Sequence, residues 1–207
     1  MLDSYLRDGE IDYIKWDMTR PLTEVNSALL PPEKKGETFH RYILGLYDIL
    51  EWLKTSYPDL LVEGCSSGGA RFDPGMLYYV SQNWASDNTD AFDRTLIQSG
   101  FSLIYPPEVI GAHVSITPNH QTGRTTPLDT RYQAARLFNL GYELDLTKCT
   151  EDEKEAIRRQ TEEHKEERSR LLDPGSTFFY NDSQQRRADC CRLMPASASR
   201  RRGDDVR

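Results

Sequence analysis

The sequence predicts an α/β fold of parallel strands joined by right-handed helical crossovers. Two observations predict it: a strand, a loop and a helix follow one another about five times, and the apolar runs end in polar or glycine-rich residues. A (β/α)8 barrel and an open doubly wound sheet both fit this alternation. About five strands form only part of a barrel, which typically needs about 250 residues, whereas this chain has 207.

The first two strands and the helix between them are predicted from local pattern. Residues 12–17 form the first strand, because β-favouring side chains occur there before Pro21, which has no N–H for a ladder. Apolar residues at steps of three and four predict a helix over residues 37–57. The apolar run 60–63 then predicts a buried strand that enters a glycine-rich turn at 64–69.

The same alternation continues through the second half of the chain. Beyond about residue 180 the sequence shows neither a helical nor a strand period, so residues 181–207 are predicted to form an irregular, disordered or non-native tail. The other predicted elements are a strand at 84–87, a helix capped within 88–90, a strand at 110–116, a helix begun by Thr126 and Pro127 and ending near Phe138, a strand at 141–146, and a helix opened by the capping box of Thr150 and Glu153 and ending near Arg170.

Composition excludes several classes of partner. The net charge of -7 argues against binding to nucleic acid or to an anionic membrane surface. No apolar run reaches the roughly 20 residues of a membrane span, and no secretory signal is visible at the N-terminus. The cysteines form no pair of CxxC motifs and are interpreted as free thiols of a cytoplasmic protein. They are Cys65, Cys149, Cys190 and Cys191.

Polar residues collect where the predicted strands end, which is where parallel α/β folds carry function. Lys15 and Asp17 end the first strand, and Asp87 ends a later one. Two carboxylates from separate strands suit glycoside hydrolysis, in which one attacks or stabilises the anomeric carbon and the other moves a proton. The positive charge of Lys15 favours the ionised form of the Asp17 carboxylate. A surface ion pair and ordinary loop or cap carboxylates remain open as alternatives.

Other polar residues have structural interpretations. Asp90 occupies a helix N-cap position, and Asp73 precedes Pro-Gly in a predicted turn. His113 and His120 have no partner at metal-ligand spacing, which favours hydrogen bonding over metal binding. Trp16 fits either a core position or the wall of a sugar site.

Four segments resemble glycoside hydrolase family 36, the family of microbial α-galactosidases and related α-N-acetylgalactosaminidases. The resemblance extends from about residue 11 to 180, and the four segments occur in the family's order. They are Asp12–Arg20, Cys65–Asp73, Trp84–Asp90 and His120–Arg124.

The resemblance implies a retaining enzyme on a (β/α)8 TIM barrel flanked by β-sandwich domains. Residues 1–180 would then be a C-terminal portion of the catalytic barrel, about its last five β/α units. It implies that Asp17 is the catalytic nucleophile and Asp87 the general acid/base. Lys15 is implied to contact galactose hydroxyls. No metal or organic cofactor is implied.

The resemblance also implies further substrate-binding residues. Cys65 and Gly68 match the turn that closes around the sugar, and Trp16 lies beside the nucleophile. Thr19 stands where the family usually has asparagine, so one substrate hydrogen bond is expected to be lost or bridged by water.

The implied function is hydrolysis of terminal α-D-galactose from oligosaccharides such as melibiose or raffinose, through a covalent glycosyl-enzyme. Intact family members are expected to be homo-oligomers. The first barrel strands are expected to precede Met1, and the sequence stops matching after about Tyr180, as after a frame change or truncation. The alternatives are a non-catalytic remnant, an α-N-acetylgalactosaminidase and a galactosyl transferase of the same family.

Overall fold

The computed structural model describes residues 2–18, 26–171, 177–180 and 192–195. Its contacts divide the chain into two compact units, Met1–Asp87 and Asn88–Arg207. Within the described ranges, no helix has the length and apolar character that crossing a membrane requires.

The first unit contains three strands that are parallel to one another and occur in chain order. Strand β1 pairs with β2 along its whole length, and β2 pairs with β3. The elements are α1 (Leu2–Leu6), β1 (Tyr13–Asp17), a 3-10 turn (Pro32–Glu37), α2 (Thr38–Ser56), β2 (Leu61–Cys65), α3 (Pro74–Tyr79) and β3 (Gln82–Trp84).

The core of this unit lies between α2 and the sheet. The predicted apolar stripe of α2 buries Leu46, Leu50 and Leu53 against Val62 of β2 and Met76 of α3. Burying each such side chain stabilises the fold by about 1.5–3 kcal/mol relative to exposure. This packing holds one face of the strands and leaves the other face for polar residues.

The second unit contains two parallel strands and a separate antiparallel pair. Strands β4 and β5 pair in parallel, and β6 and β7 pair antiparallel. The elements are α4 (Ala91–Ser102), a 3-10 turn (Pro107–Val109), β4 (Ile110–Ser115), α5 (Leu128–Ala135), β5 (Asn139–Glu143), a 3-10 turn (Leu146–Lys148), α6 (Glu151–Leu171), β6 (Thr177–Tyr180) and β7 (Arg192–Pro195).

The predicted fold class is confirmed: β1 to β5 alternate with helices as part of a (β/α)8 barrel, and the register within each unit is parallel. Residues 181–191 and 196–207 of the predicted irregular tail lie outside the described residues. Its segment Arg192–Pro195 is a strand.

Two strand ends differ from the prediction. β2 continues through Gly64 and Cys65, because these residues pair with the last two residues of β1. β3 ends at Trp84, so Asp87 lies three residues beyond the strand rather than in it. The glycine-rich turn is therefore shorter than predicted and the loop that carries Asp87 is longer.

Helix starts depend on side-chain hydrogen bonds that the sequence reveals only in part. The capping box of Thr150 and Glu153 is confirmed, with N–H to side-chain oxygen distances of 2.9 and 3.2 Å. Asp73, predicted in a turn, caps the unpredicted α3 and accepts from the Met76 N–H at 3.0 Å. Thr126 is not the N-cap of α5: the helix begins at Leu128, one residue later than predicted, with Pro127 at the N-cap position and no side-chain cap.

Apart from Ala91, the buried side chains of helix α4 are polar. Arg94 donates to Gln98 Oε1 at 2.8 Å and to the Gly111 carbonyl of β4 at 2.6 Å. The large apolar side chains of Phe92 and Leu96 are exposed instead, although their helical spacing would favour a buried face. Hydrogen bonds, which the apolar period cannot reveal, orient this helix.

Candidate active site

The strand register places the predicted nucleophile and its neighbours on one face of the first unit. Side chains at alternate positions of a strand share a face, so Lys15 and Asp17 of β1 point the same way. Lys15 is paired in register with Glu63 and Asp17 with Cys65. The polar face of the sheet therefore carries these four side chains, opposite the face covered by α2.

Beyond the paired strands, hydrogen bonds continue to hold the ends of β1 and β2 together. The Met18 N–H donates to the Cys65 carbonyl at 3.0 Å, and Ser66 Oγ donates to the Met18 carbonyl at 2.8 Å. Asp17, between these contacts, is exposed. The backbone around Asp17 is therefore fixed, and its carboxylate is accessible from solvent.

Cys65 lies buried beside Asp17 and is not a nucleophile. Burial raises the pKa of the Cys65 thiol to about 11, and the nearby Asp17 carboxylate contributes to the increase. At neutral pH the side chain is therefore a thiol, and only the thiolate is strongly nucleophilic. Cys65 can act here as a weak donor and a packing residue.

The turn after β2 depends on left-handed backbone at Gly68. Its φ is +75°, and its carbonyl accepts from the Ser66 N–H at 3.1 Å. A Cβ at this position would lie 2.4 Å from Ser86 Cα and 2.8 Å from the Asp87 nitrogen. Only glycine lets this turn pack directly on the loop that carries Asp87, which links Asp87 to the Cys65 end of the site.

Replacing Gly68 with alanine is expected to displace the Ser86–Asp87 backbone, because the added methyl overlaps it. We expect kcat to fall about 100-fold, the order seen when a catalytic group moves by about 1 Å. The strained φ is expected to reduce the free energy of unfolding by about 1–3 kcal/mol. Urea unfolding and steady-state kinetics of a full-length polypeptide that contains this chain measure both effects.

Gly45→Ala is the matched control for that substitution. Gly45 lies within α2 and has open space where its Cβ would be. Alanine favours a helix by about 1 kcal/mol over glycine, so this variant is expected to be at least as stable as the parent and equally active. Unchanged kinetics in Gly68→Ala would contradict the packing argument.

Lys15 is held between a carboxylate and an aromatic ring. Its Nζ lies 3.5 Å from Glu63 Oε1 and 4.9 Å from the ring centroid of Trp84. An ammonium over a tryptophan face is stabilised electrostatically. With its side chain 34% exposed, Lys15 remains accessible on the same face as Asp17.

One predicted substrate-binding residue, Trp16, faces away from this group. Trp16 alternates with Lys15 and Asp17 along β1 and packs against the apolar cluster beneath α2. We therefore assign its indole to the core of the unit and leave it out of the site. Thr19 lies outside the described residues.

The rival carboxylate Asp90 is committed to structure. It is buried and accepts from the Phe92 N–H at 3.0 Å and from Thr122 Oγ1 at 2.7 Å, and Arg124 also bonds it. Burial alone would raise the pKa of Asp90, but the Thr122 and backbone hydrogen bonds and the Arg124 charge lower it overall. Asp90 thus stays ionised as an N-cap, a poor proton donor.

The hydrogen bonding predicted for His113 is present in the structure. His113 Nδ1 lies 3.1 Å from Glu143 Oε2 on the neighbouring strand β5. Among residues that the structure describes, no group of three or more His, Cys, Asp or Glu side chains could hold a metal ion.

The sequence reasoning missed three residues of the polar face. Glu63 is 2% exposed, Tyr13 hydrogen-bonds to it, and Gln82 Nε2 donates to Glu63 Oε2 at 3.0 Å. The available signal was the two-residue period: Tyr13 is two positions before Lys15, and Glu63 two before Cys65.

The parallel strands carry one carboxylate, Asp17, at the end of β1, and a second, Asp87, follows β3 in a loop that packs on the Gly68 turn. Two carboxylates near the C-terminal ends of parallel strands are typical of a glycoside hydrolase. A family model agrees with this class. The Melibiase model matches residues 1–173, and the chain belongs to the Melibiase family.

Curated relatives support the same assignment and confirm the resemblance to glycoside hydrolase family 36. "Alpha-galactosidase 1" of Pediococcus pentosaceus is 54% identical over 165 residues, covering 80% of this chain and 22% of the relative. "Alpha-galactosidase AgaA" of Geobacillus stearothermophilus is 51% identical over 178 residues, covering 86% of this chain and 24% of the relative. The chain thus spans about a quarter of the length of these relatives.

The fold matches solved structures of the family. The crystal structure of the family 36 α-galactosidase AgaA from Geobacillus stearothermophilus gives a TM-score of 0.82 at 49% identity, covering 88% of this chain and 25% of that one. A variant of that protein in complex with raffinose gives a TM-score of 0.83 at 48% identity, with the same coverage.

Proposed function

We propose that this chain is the C-terminal part of the catalytic barrel of a retaining α-galactosidase, which releases terminal α-D-galactose from oligosaccharides. One observation carries the proposal: a single turn lies beside both predicted catalytic residues. Asp17 is paired in register with Cys65, where the turn begins, and Gly68 of the same turn packs on the Asp87 backbone. The term "complete enzyme" is used below for a polypeptide that contains this chain and has the full length of its relatives.

In the first step, a carboxylate oxygen of Asp17 attacks the anomeric carbon of galactose. The bond from that carbon to the glycosidic oxygen breaks, and Asp87 gives its proton to the departing oxygen. The products are a galactosyl ester of Asp17 and the shortened sugar. The exposure of Asp17 and of Asp87 suits their access to a substrate.

In the second step, the Asp87 carboxylate removes a proton from water as the water oxygen attacks the anomeric carbon. The ester bond to Asp17 breaks, its carboxylate is restored, and galactose leaves with its original α configuration. Lys15, held beside Glu63 and Trp84, is proposed to bind galactose hydroxyls in both steps. Cys65 and Gly68 form the adjacent wall of the site.

Known complexes of relatives favour galactoside substrates. Variants of the Geobacillus stearothermophilus α-galactosidase AgaA have been solved with raffinose and with stachyose. By similarity, we propose oligosaccharides of this kind as substrates of the complete enzyme. An α-N-acetylgalactosaminidase or a galactosyl transferase of the family would use the same covalent step.

A comparison of substrates tests the proposal. We expect the complete enzyme to hydrolyse raffinose and an aryl α-galactoside, and to act at least 100-fold more slowly on the matching α-N-acetylgalactosaminide. NMR of the first product is expected to show α-galactose before mutarotation. A β-anomer as first product, or a preference for the N-acetylated sugar, would contradict the assignment. Assaying the 207-residue chain alone tests the alternative of a non-catalytic remnant.

Two further properties belong to this proposal. Cys65 and Cys149 are free thiols, which supports a cytoplasmic location because reducing compartments preserve thiols. Phe92 and Leu96 follow at helical spacing on the exposed side of α4, and Leu103 continues that row at 81% exposure. The rest of the complete enzyme is available to cover this row, so a homo-oligomer is proposed only by similarity to the family.

A further inference from the structure

Glu63 is a buried carboxylate on the polar face of the sheet, and the proposed chemistry does not use it directly. Its side chain is 3% exposed, although it lies in the middle of β2 between two strands rather than at a strand end. Burying a carboxylate is costly unless partners compensate for its lost hydration. The identity of those partners indicates what the residue does.

The two oxygens of Glu63 have different partners. Oε2 accepts from the Tyr13 hydroxyl and from Gln82 Nε2, the latter at 3.0 Å. Gln82 Nε2 also lies 2.8 Å from the Tyr13 oxygen, so these three side chains form a closed triangle of hydrogen bonds. Burial raises the pKa of Tyr13, and the Glu63 carboxylate raises it further, which keeps the phenol protonated as a donor. Neutral donors thus fix Oε2.

The other oxygen, Oε1, faces a charge. Lys15 Nζ lies 3.5 Å from it in an ion pair, and no hydrogen bond to Oε1 is formed among the described residues. The same ammonium lies 4.9 Å from the Trp84 ring centroid. Because the triangle immobilises Glu63, Oε1 is a fixed point of negative charge beneath a flexible four-carbon side chain.

We propose that Glu63 is a positioning residue that holds the Lys15 ammonium over Trp84, in the place where it binds the sugar. The inference rests on the proposed function and extends it to a residue that does not itself contact the substrate. Without Glu63, the Lys15 side chain would sample many rotamers in solvent, because a lysine side chain has four rotatable bonds and loses conformational entropy when it is ordered. Glu63 supplies that order before the substrate arrives.

Removing the charge of Glu63 is expected to weaken sugar binding through Lys15. In Glu63→Gln the volume is retained, but the counter-charge is lost. We expect the Kd of 1-deoxygalactonojirimycin, which binds a variant of a relative, and the KM of an aryl α-galactoside to rise about tenfold. The kcat is expected to change less than threefold, because Asp17 and Asp87 are unchanged. Calorimetry and steady-state kinetics of the complete enzyme measure these values.

A double-mutant cycle separates positioning from a general structural role. Lys15→Met alone is expected to weaken inhibitor binding at least as much as Glu63→Gln, and the double variant is expected to bind no more weakly than Lys15→Met. Fully additive losses would overturn the inference, because Glu63 would then act independently of Lys15. Unchanged affinity in Glu63→Gln would also overturn it.

Two further variants keep the test decisive. Glu63→Asp retains the negative charge but shortens the side chain, so the carboxylate no longer reaches the Lys15 ammonium and inhibitor binding is expected to weaken. This variant keeps the test available if Glu63→Gln does not fold. Full affinity in a folded Glu63→Asp would overturn the inference. Asp73→Asn is the matched control, because it makes the same carboxylate-to-amide change at the cap of α3, where asparagine also serves. It is expected to leave Kd and KM unchanged.

The proposed function and this inference fail in different ways. If the unmodified complete enzyme neither binds the inhibitor nor hydrolyses α-galactosides, the proposed function fails. If it does both and the Glu63 variants behave like the control, only the inference fails.

Discussion

Asp17→Asn is expected to abolish turnover of every α-galactoside by the complete enzyme. The amide cannot form the galactosyl ester, and losing a nucleophile typically costs a factor of about 10⁴–10⁶ in kcat. The backbone around residue 17 is held by the Met18 and Ser66 hydrogen bonds, neither of which uses the carboxylate. We therefore expect the variant to fold and to bind raffinose. Kinetics together with calorimetric binding of raffinose test both halves.

Asp48→Asn is the matched control for this substitution. Asp48 lies on the exposed side of α2, so the same loss of a carboxylate is expected to leave kcat unchanged. Mass spectrometry adds a direct test, because a fluorinated galactoside that forms a slowly hydrolysed ester is expected to label Asp17. Substantial activity in Asp17→Asn, or a label on another residue, would falsify the assignment of the nucleophile.

Asp87→Asn is expected to reduce kcat by about 10²–10⁴ with oligosaccharides, whose departing oxygen needs a proton. The loss in the first step is expected to be much smaller with a nitrophenyl galactoside, because its leaving group departs without protonation. Azide, which attacks without a general base, is expected to restore turnover and to give galactosyl azide. Rates with both substrates, with and without azide, measure these effects.

Asp93→Asn tests a second carboxylate that follows Asp87 in the chain. Asp93 is in the first turn of α4, and its Oδ1 lies 3.6 Å from Arg124 Nη1. Its Oδ2 accepts a hydrogen bond from Asn88 Nδ2 at 2.7 Å. We expect this variant to keep the parent's ratio of rates between the two substrates. If azide and the better leaving group rescued Asp93→Asn but not Asp87→Asn, the acid/base role would belong to Asp93.

The five parallel strands and helices α2, α4, α5 and α6 could be predicted because local rules govern them. The two-residue period and Pro21 define β1, and the stripe of leucines defines α2. The capping box of Thr150 and Glu153 places the start of α6 correctly. Each of these signals lies within a few residues of the element that it specifies.

The interior of the site could not be predicted in the same way, because it depends on contacts distant in sequence. Glu63 reads as one polar residue in an apolar run until the register pairs it with Lys15, 48 positions earlier. The start of α5 lies one residue later than predicted, because Pro127 rather than Thr126 occupies the N-cap position. The role of Trp16 likewise depends on which face α2 covers.

The packing of Gly68 on Ser86 connects the fold to the location of the family motifs. Because the Gly68 turn packs directly on the backbone of Ser86 and Asp87, a change in the length or backbone course of one of the segments Cys65–Asp73 and Trp84–Asp90 would disturb the other. A residue inserted between β3 and Asp87 would shift the backbone on which the turn rests.

The protonated state of Cys65 has a consequence for the chemical durability of the site. With a pKa of about 11, only about one thiol in 10⁴ is a thiolate at pH 7. Peroxides and alkylating reagents attack the thiolate, so they meet very little of their reactive target next to Asp17. We therefore expect Cys65, at its proposed place in the wall of the site, to react more slowly with these reagents than an acidic thiol in the same position would.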